Sequence, residues 1–341
     1  MLRHSPISHA AYHDLLRSLL DEAVAGIRGT PTRVVRGGKA YWYDTYRVGT
    51  DVRKSYIGED SEALQARIAR HGALKEEADA RKKERARLIR LLRAEGFLGT
   101  DGATGSLLAA MAGAGVFRLG GTVIGTHAFR LYEGELGVRY RFDQTAMTQD
   151  MDIASFERLS LSLSQDDQVS TSMQDVLSGF AFDPVPSLEP GQVWRWRQTR
   201  NDTLVEFLTP SFRPEEDIRP LEALGVSAQS LHYLNYLIAS PIPAAVLYRS
   251  GVLVQIPRPE RFALHKLIVA DRRREGMDSL KSRKDRRQAE FLIAILLEDR
   301  PDDLAEALED LRSRGPQWNV RLDRSLARIP ETAARLHALA A

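Results

Sequence analysis

The stretch RLGGTVIGTHAF at 118–129 carries an apolar β-type run into Gly125-Thr126 and then into a helical pattern that continues to Leu136. A glycine where a strand turns into a helix lets the backbone approach a ligand closely, and the first amides of the helix point at whatever sits there. That turn suits a polyphosphate. His127, in the first helical turn, is placed to touch phosphate or base. Two further stretches complete the pattern, TQDMDIA at 148–154 and DTLVEFLTP at 202–210. Both read as strands, around 150–154 and 203–208. Asp150 and Asp152 stand two apart on the first of them, so they share one face of the pleat, about 6 to 7 Å apart along the chain. Paired carboxylates at that spacing suit divalent ions: magnesium prefers oxygen ligands, and two ions about 3.5 to 4 Å apart can serve one displacement at phosphorus. Glu206 interrupts an otherwise apolar run, where a carboxylate needs a metal or a cation for company. It reads as a third metal-facing acid, with Arg195 or Arg197 of WRWRQTR as the alternative partner.

Outward from this centre the pattern alternates. A helix is predicted at 107–112, a strand at 116–124, a hairpin of 244–248 and 252–256 around Arg249-Ser250-Gly251, and a helix at 258–274. The remainder is helical, with Pro301 opening one helix and Gly315-Pro316 closing it. Toward the N-terminus, Leu15, Leu16, Leu19 and Leu20 make 8–27 an amphipathic helix. Short β-type runs follow at 33–35, 39–47 and 52–57, and Asp60-Ser61 caps one long charged helix to about Arg93. The glycine-rich EGFLGTDGATG at 95–105 marks a boundary. We read an N-terminal helix, meander and charged helix at 1–100, a central domain at 101–275 and a helical region at 276–341. The fold class is α/β or α+β.

Composition removes whole chemistries. At 341 residues the chain is long enough for roughly two domains, and its 43% hydrophobic content supports a sizeable core. Its 48 Lys and Arg nearly balance 46 Asp and Glu, so any basic surface is local. With no cysteine there is no disulfide, thiolate zinc site, iron–sulfur ligand or cysteine nucleophile. The nearest approach to a P-loop, GVFRLGGT at 115–122, has Gly121 where lysine is required. The most apolar stretch, 237–248, is broken by Pro241 and Pro243 and is too short to span a bilayer, and 1–30 lacks the apolar core of a signal peptide. A cytoplasmic protein without membrane partners is expected.

The G-T-H-A-F turn, the later D-M-D and the acid in V-E-F-L-T-P together resemble the DNA polymerase β-like nucleotidyltransferase superfamily, in particular a bacterial branch with a G-T-H turn. The resemblance covers about 115–275. It implies an α+β domain built on a small mixed sheet with flanking helices, Mg²⁺ (or Mn²⁺) held by three carboxylates, and transfer of a nucleoside monophosphate from an NTP to an acceptor hydroxyl. By position, Gly125 and Thr126 match the nucleotide-binding turn, Asp150 and Asp152 the paired metal acids, Glu206 the third acid, and Lys266 a lysine that contacts the triphosphate. Two features depart from the pattern: the interval from Gly125 to Asp150 is longer than usual, and Glu206 stands where aspartate is commoner. The expected acceptor is RNA, a protein side chain or a small molecule. RRREGMDSLKSRKDRRQAE from Arg272 tilts the choice toward RNA, unless it is an exposed helix face with Asp285 and Glu290 pairing their neighbours. The alternative of a different class is a catalytically inactive module of the same fold that binds nucleic acid or a protein partner.

Overall fold

In the computed structural model the described residues are 2–25, 27, 29–36, 38–48, 51–71, 73, 77–140, 150–154, 172–187, 191–199, 203–273 and 279–339. Helix α1 (Pro6–Ala25) is followed by an antiparallel meander of β1 (Thr30–Arg36), β2 (Lys39–Val48) and β3 (Asp51–Glu59). Then come α2 (Glu62–Ala69) and α3 (Ala78–Ala94). Ser61 caps α2 as expected, its hydroxyl accepting the Leu64 N–H at 3.2 Å. The single long helix expected here is not continuous: α2 ends at Ala69, where the N–H of Arg70 turns back to the carbonyl of Arg67, and α3 begins at Ala78.

Helix α4 (Gly102–Ala114) begins at Asp101, whose carboxylate accepts the Thr104 N–H at 2.9 Å. The strand expected at 116–124 is shorter, β4 (Thr122–Ile124), because 115–120 coil into turns closed by the Gly121 N–H on the Val116 carbonyl. Val116, Phe117 and Leu119 are buried there, so an apolar run that reads as strand is a buried turn. Next are α5 (Gly125–Leu136), β5 (Asp150–Ala154), α6 (Met173–Ser178), β6 (Phe182–Pro184), β7 (Arg195–Gln198) and β8 (Leu204–Pro210). They lead to β9 (Ile218–Leu221), β10 (Val226–Leu231), α7 (Leu234–Leu237) and the hairpin β11 (Ile242–Val246) with β12 (Val252–Ile256). Helices α8 (Pro259–Arg272), α9 (Ser279–Asp299), α10 (Pro301–Ser313), α11 (Pro316–Leu326) and α12 (Pro330–Leu339) form the helical C-terminal part.

The central sheet runs β4-β5-β8-β10-β9, with β7 on the other part of the β10 edge of β8 and β6 beyond it. It is mixed: β5 and β10 are parallel to β8, while β4, β7 and β9 are antiparallel to their neighbours. This is the expected α+β architecture. The main core joins Val123, Phe129, Val205 and Phe207 to Leu264, Leu267, Leu292 and Leu296, so α5 and the sheet are clamped by α8 and α9. Among the described residues no helix is long and apolar enough to cross a membrane.

The N-terminal segment is tied to the helix that follows the glycine turn. Arg3 bridges to Val138, the His4 imidazole lies 3.1 Å from the Glu133 carboxylate and stacks on Phe97, and Arg3 pairs with Asp299 at the end of α9. Tyr12 of α1 is fully packed, its hydroxyl accepting the Ala245 N–H at 3.1 Å. Its ring lies directly against the backbone of Gly134 in α5, so that a Cβ there would overlap it. Gly134→Ala should therefore lower stability: overpacking costs about 1–3 kcal/mol, more than the roughly 1 kcal/mol that alanine gains over glycine in a helix. A reduced urea midpoint is expected, and an unchanged or raised midpoint would contradict the close α1–α5 contact.

Candidate functional site

The site grows from the end of β4. Ile124 is extended, Gly125 takes φ +68°, and α5 starts immediately. A side chain at that φ costs about 1–2 kcal/mol, which is why glycine stands there. Among the described residues no side chain caps α5, and no acid lies in its first turn, so its first amides have no capping partner there. Thr126 is only 8% exposed, and its hydroxyl accepts a hydrogen bond from the Lys284 ammonium at 3.2 Å. His127 follows in the same turn, half-buried.

Lys284 arrives from α9. Its ammonium is held below the usual lysine range, first by burial and then by the Lys266 ammonium, with Arg273 adding to the effect and Asp285 opposing it. Lys266, expected at the triphosphate, is buried on α8 with its ammonium 2.5 Å from Asp285, and the other Asp285 oxygen accepts from Arg273 at 3.0 Å. The cation beside the turn is therefore Lys284. Reading residues 272–287 as a phosphate track or an exposed face missed this. The signal was nevertheless present: the apolar period of α9 through Leu296, Leu292 and Ala289 extrapolates backward onto Asp285 and Ser282, which are buried. Polar residues at the inward positions of a helix mark a site. The neighbouring His265 imidazole is pushed down to about 3 by burial and by the cations beside it, so it stays neutral at physiological pH.

The carboxylate side is set by strand register. Asp152 of β5 is the partner of Ile124 in β4 and of Glu206 in β8, and Asp150 is the partner of Leu204. Neighbouring strands lie about 4.8 Å apart, so Asp152 and Glu206 are adjacent and the glycine turn begins one residue after Ile124. The side chains of Asp150 and Asp152, and the connection 141–149 before them, lie outside the described residues. Glu206 is described: its carboxylate is 2.6 Å from the Arg195 guanidinium, which stacks over the Trp194 ring at 4.3 Å. Of the two fates expected for Glu206, the pairing with Arg195 is present. Among the described residues no three side chains gather as a metal cluster. Trp196 is buried edge-on against Phe207 and serves sheet packing.

Lys284 has a consequence for the free protein. Because its pKa is lowered on folding, the unfolded chain binds more protons at alkaline pH, and stability rises with pH through this group up to the ordinary lysine range. Lys284→Met should remove that rise. Unfolding free energies of wild type and variant, measured from neutral pH to about 10, should converge as pH increases. A constant difference across that range would contradict the burial of Lys284 against other cations.

Comparison with known proteins follows the same outline. A family described as a domain of unknown function (DUF6788) matches residues 10–66, which take in most of α1, the meander and the start of α2. No curated protein and no solved structure matches the chain. The model of a family described as nucleotidyltransferase matches residues 102–313, from α4 through α10, and so takes in the glycine turn, the β5–β8 pair and the lysine that meets Thr126. The chain belongs to this nucleotidyltransferase family.

Proposed function

We propose that this protein transfers a nucleoside monophosphate from an NTP to an acceptor hydroxyl, with Gly125, Thr126 and Lys284 receiving the triphosphate and Asp150, Asp152 and Glu206 holding Mg²⁺ or Mn²⁺. The observation that carries the reading is the Lys284 ammonium on the Thr126 hydroxyl at the uncapped start of α5. Backbone amides, a hydroxyl and a half-buried cation then converge where an anion has a helix N-terminus to meet. His127, in the same turn, contributes a further donor.

Three carboxylates at register positions of adjacent strands are a hard oxygen donor set, which fits Mg²⁺. When bound, such an ion neutralises charge on the phosphates and on the attacking and leaving oxygens. The chain's own part is positional. Gly125 admits the phosphates close to the backbone, and Lys284 balances charge developing on the departing pyrophosphate. Lys266 and Arg273 fix Asp285, and Asp285 in turn keeps α9 against α8, so that Lys284 stays in reach of the turn. Arg195 pairs with the Glu206 carboxylate and orients it; it must share or release that carboxylate as the site loads.

The same ion pair favours a second reading. A guanidinium already on Glu206 is also what a binding module without turnover would keep, with nucleic acid or a protein as partner. The basic segment of α9 favours RNA as acceptor, since Lys281 and Arg283 are exposed. Incubation with each α-³²P-labelled NTP, Mg²⁺ or Mn²⁺, and total cellular RNA and protein tests both readings. Label is expected in RNA with wild type, reduced to background by Asp150→Ala with Asp152→Ala. Label in protein would change the acceptor. No transfer with any NTP, while the partner is still retained by the double variant, would overturn the enzymatic reading in favour of the module.

A further inference from the structure

Gln288 lies one turn beyond Lys284 on α9. It is 4% exposed, and both of its amide atoms, Nε2 and Oε1, are buried without a hydrogen-bond partner. A buried amide normally satisfies both ends, because an orphaned donor or acceptor forfeits the hydrogen bonds it had in water. An isosteric apolar residue would have filled the same space without that penalty. The orphaned pair therefore calls for a functional explanation.

Its helical neighbours place it. Lys284, four residues earlier, reaches Thr126 at 3.2 Å, and Phe291, three residues later, packs edge-on to Phe129 with ring centroids 6.2 Å apart. Residues three and four apart share one face of a helix. Gln288 therefore stands between these two contacts, opposite the first turn of α5. The helical rise puts it about 6 Å along the axis from Lys284. That step is comparable to the ribose that separates a nucleotide's phosphates from its base.

The identity of the two orphaned atoms narrows the ligand. A phosphate oxygen accepts only, and would leave Oε1 unsatisfied. A metal ion would take Oε1 and leave Nε2. The N6–N7 edge of adenine offers a donor beside an acceptor, unlike the two acceptors on the same edge of guanine, and a glutamine amide reads it with two parallel hydrogen bonds. We propose that Gln288 reads the base of the incoming NTP and sets the preference among the four nucleotides. This rests on the reading in which Gly125, Thr126 and Lys284 take the triphosphate.

Calorimetry of wild type and Gln288→Met with ATP, CTP, GTP, UTP and inorganic tripolyphosphate, all with Mg²⁺, separates the two claims. Wild type should bind one NTP about tenfold or more tighter than the least favoured one, as expected for a paired donor and acceptor that a wrong base leaves unmatched. Gln288→Met should bring the four NTPs to within about twofold while leaving tripolyphosphate affinity unchanged. The thermal midpoint of the free variant should equal or exceed that of wild type, since no satisfied group is lost. Gln288→Glu, which offers acceptors only, should reorder the preference rather than abolish binding. Three results would overturn the proposal: a wild type that binds tripolyphosphate and all four NTPs without preference, a Gln288→Met variant that keeps the preference, or one in which tripolyphosphate weakens as much as the NTPs. A wild type that binds neither tripolyphosphate nor any NTP would overturn the triphosphate cradle together with it.

Discussion

The contact between the Lys284 ammonium and the Thr126 hydroxyl is the constraint on which the site depends. It joins two elements that sequence separates by more than half the domain, the helix that opens at the glycine turn and the first long helix of the C-terminal region. A lysine inside a protein is costly unless its charge has work to do or company to keep. Here burial pushes its pKa down, the Lys266 ammonium and Arg273 add to the effect, and Asp285 opposes it. An environment that disfavours the charge of Lys284 in the free protein is one that a bound polyanion would relieve. The same network explains why Asp285 is buried: it compensates Lys266 and Arg273 and so sets the register of α9 against α8.

Around this contact the rest of the chain supplies rigidity. The parallel pairing of β5 with β8 places Asp152 beside Glu206, and the antiparallel pairing with β4 sets both next to the start of the turn. From the other side, α1 presses the Tyr12 ring onto Gly134, and the extended Leu2–His4 segment adds His4 to Glu133 and Arg3 to Asp299. The N-terminal region thus braces the far end of the helix whose first turn carries the site. Packing of this kind leaves the turn little room to move, which suits chemistry that works mainly by positioning.

Much of this was legible in the sequence. The helix after Gly125, the strand at 150–154 and a strand around 203–208, found at 204–210, follow from apolar periodicity punctuated by glycine and proline, and the resemblance in G-T-H and D-M-D pointed to nucleotidyltransferases, as does the matching family. Local periodicity went wrong where burial and hydrogen bonding pull apart. The apolar 116–119 run is buried in turns rather than in a strand, and the charged run after Ser61 is interrupted because Arg70 closes on Arg67. Short strands such as β6, β9 and β10 lacked a strong enough alternation to announce themselves. Charge-run reading also hid the site's second half. Density of Lys and Arg says nothing about which of them face inward: the helical phase of α9 separates Lys284 and Gln288 from the exposed Arg283, whereas Lys281 shares their face and is exposed one turn nearer the start of the helix. The pairing of Lys266 with Asp285 is likewise a tertiary fact, since 19 residues separate the two.

If Lys284 and Thr126 act as one unit, the most direct test is a double-mutant cycle on tripolyphosphate affinity, using Lys284→Met, Thr126→Val and the two combined. The account expects each single change to weaken binding and the combination to lose little more than Lys284→Met alone, because removing either partner already removes the shared geometry. Losses that simply add, or single variants that bind tripolyphosphate as well as wild type, would contradict it.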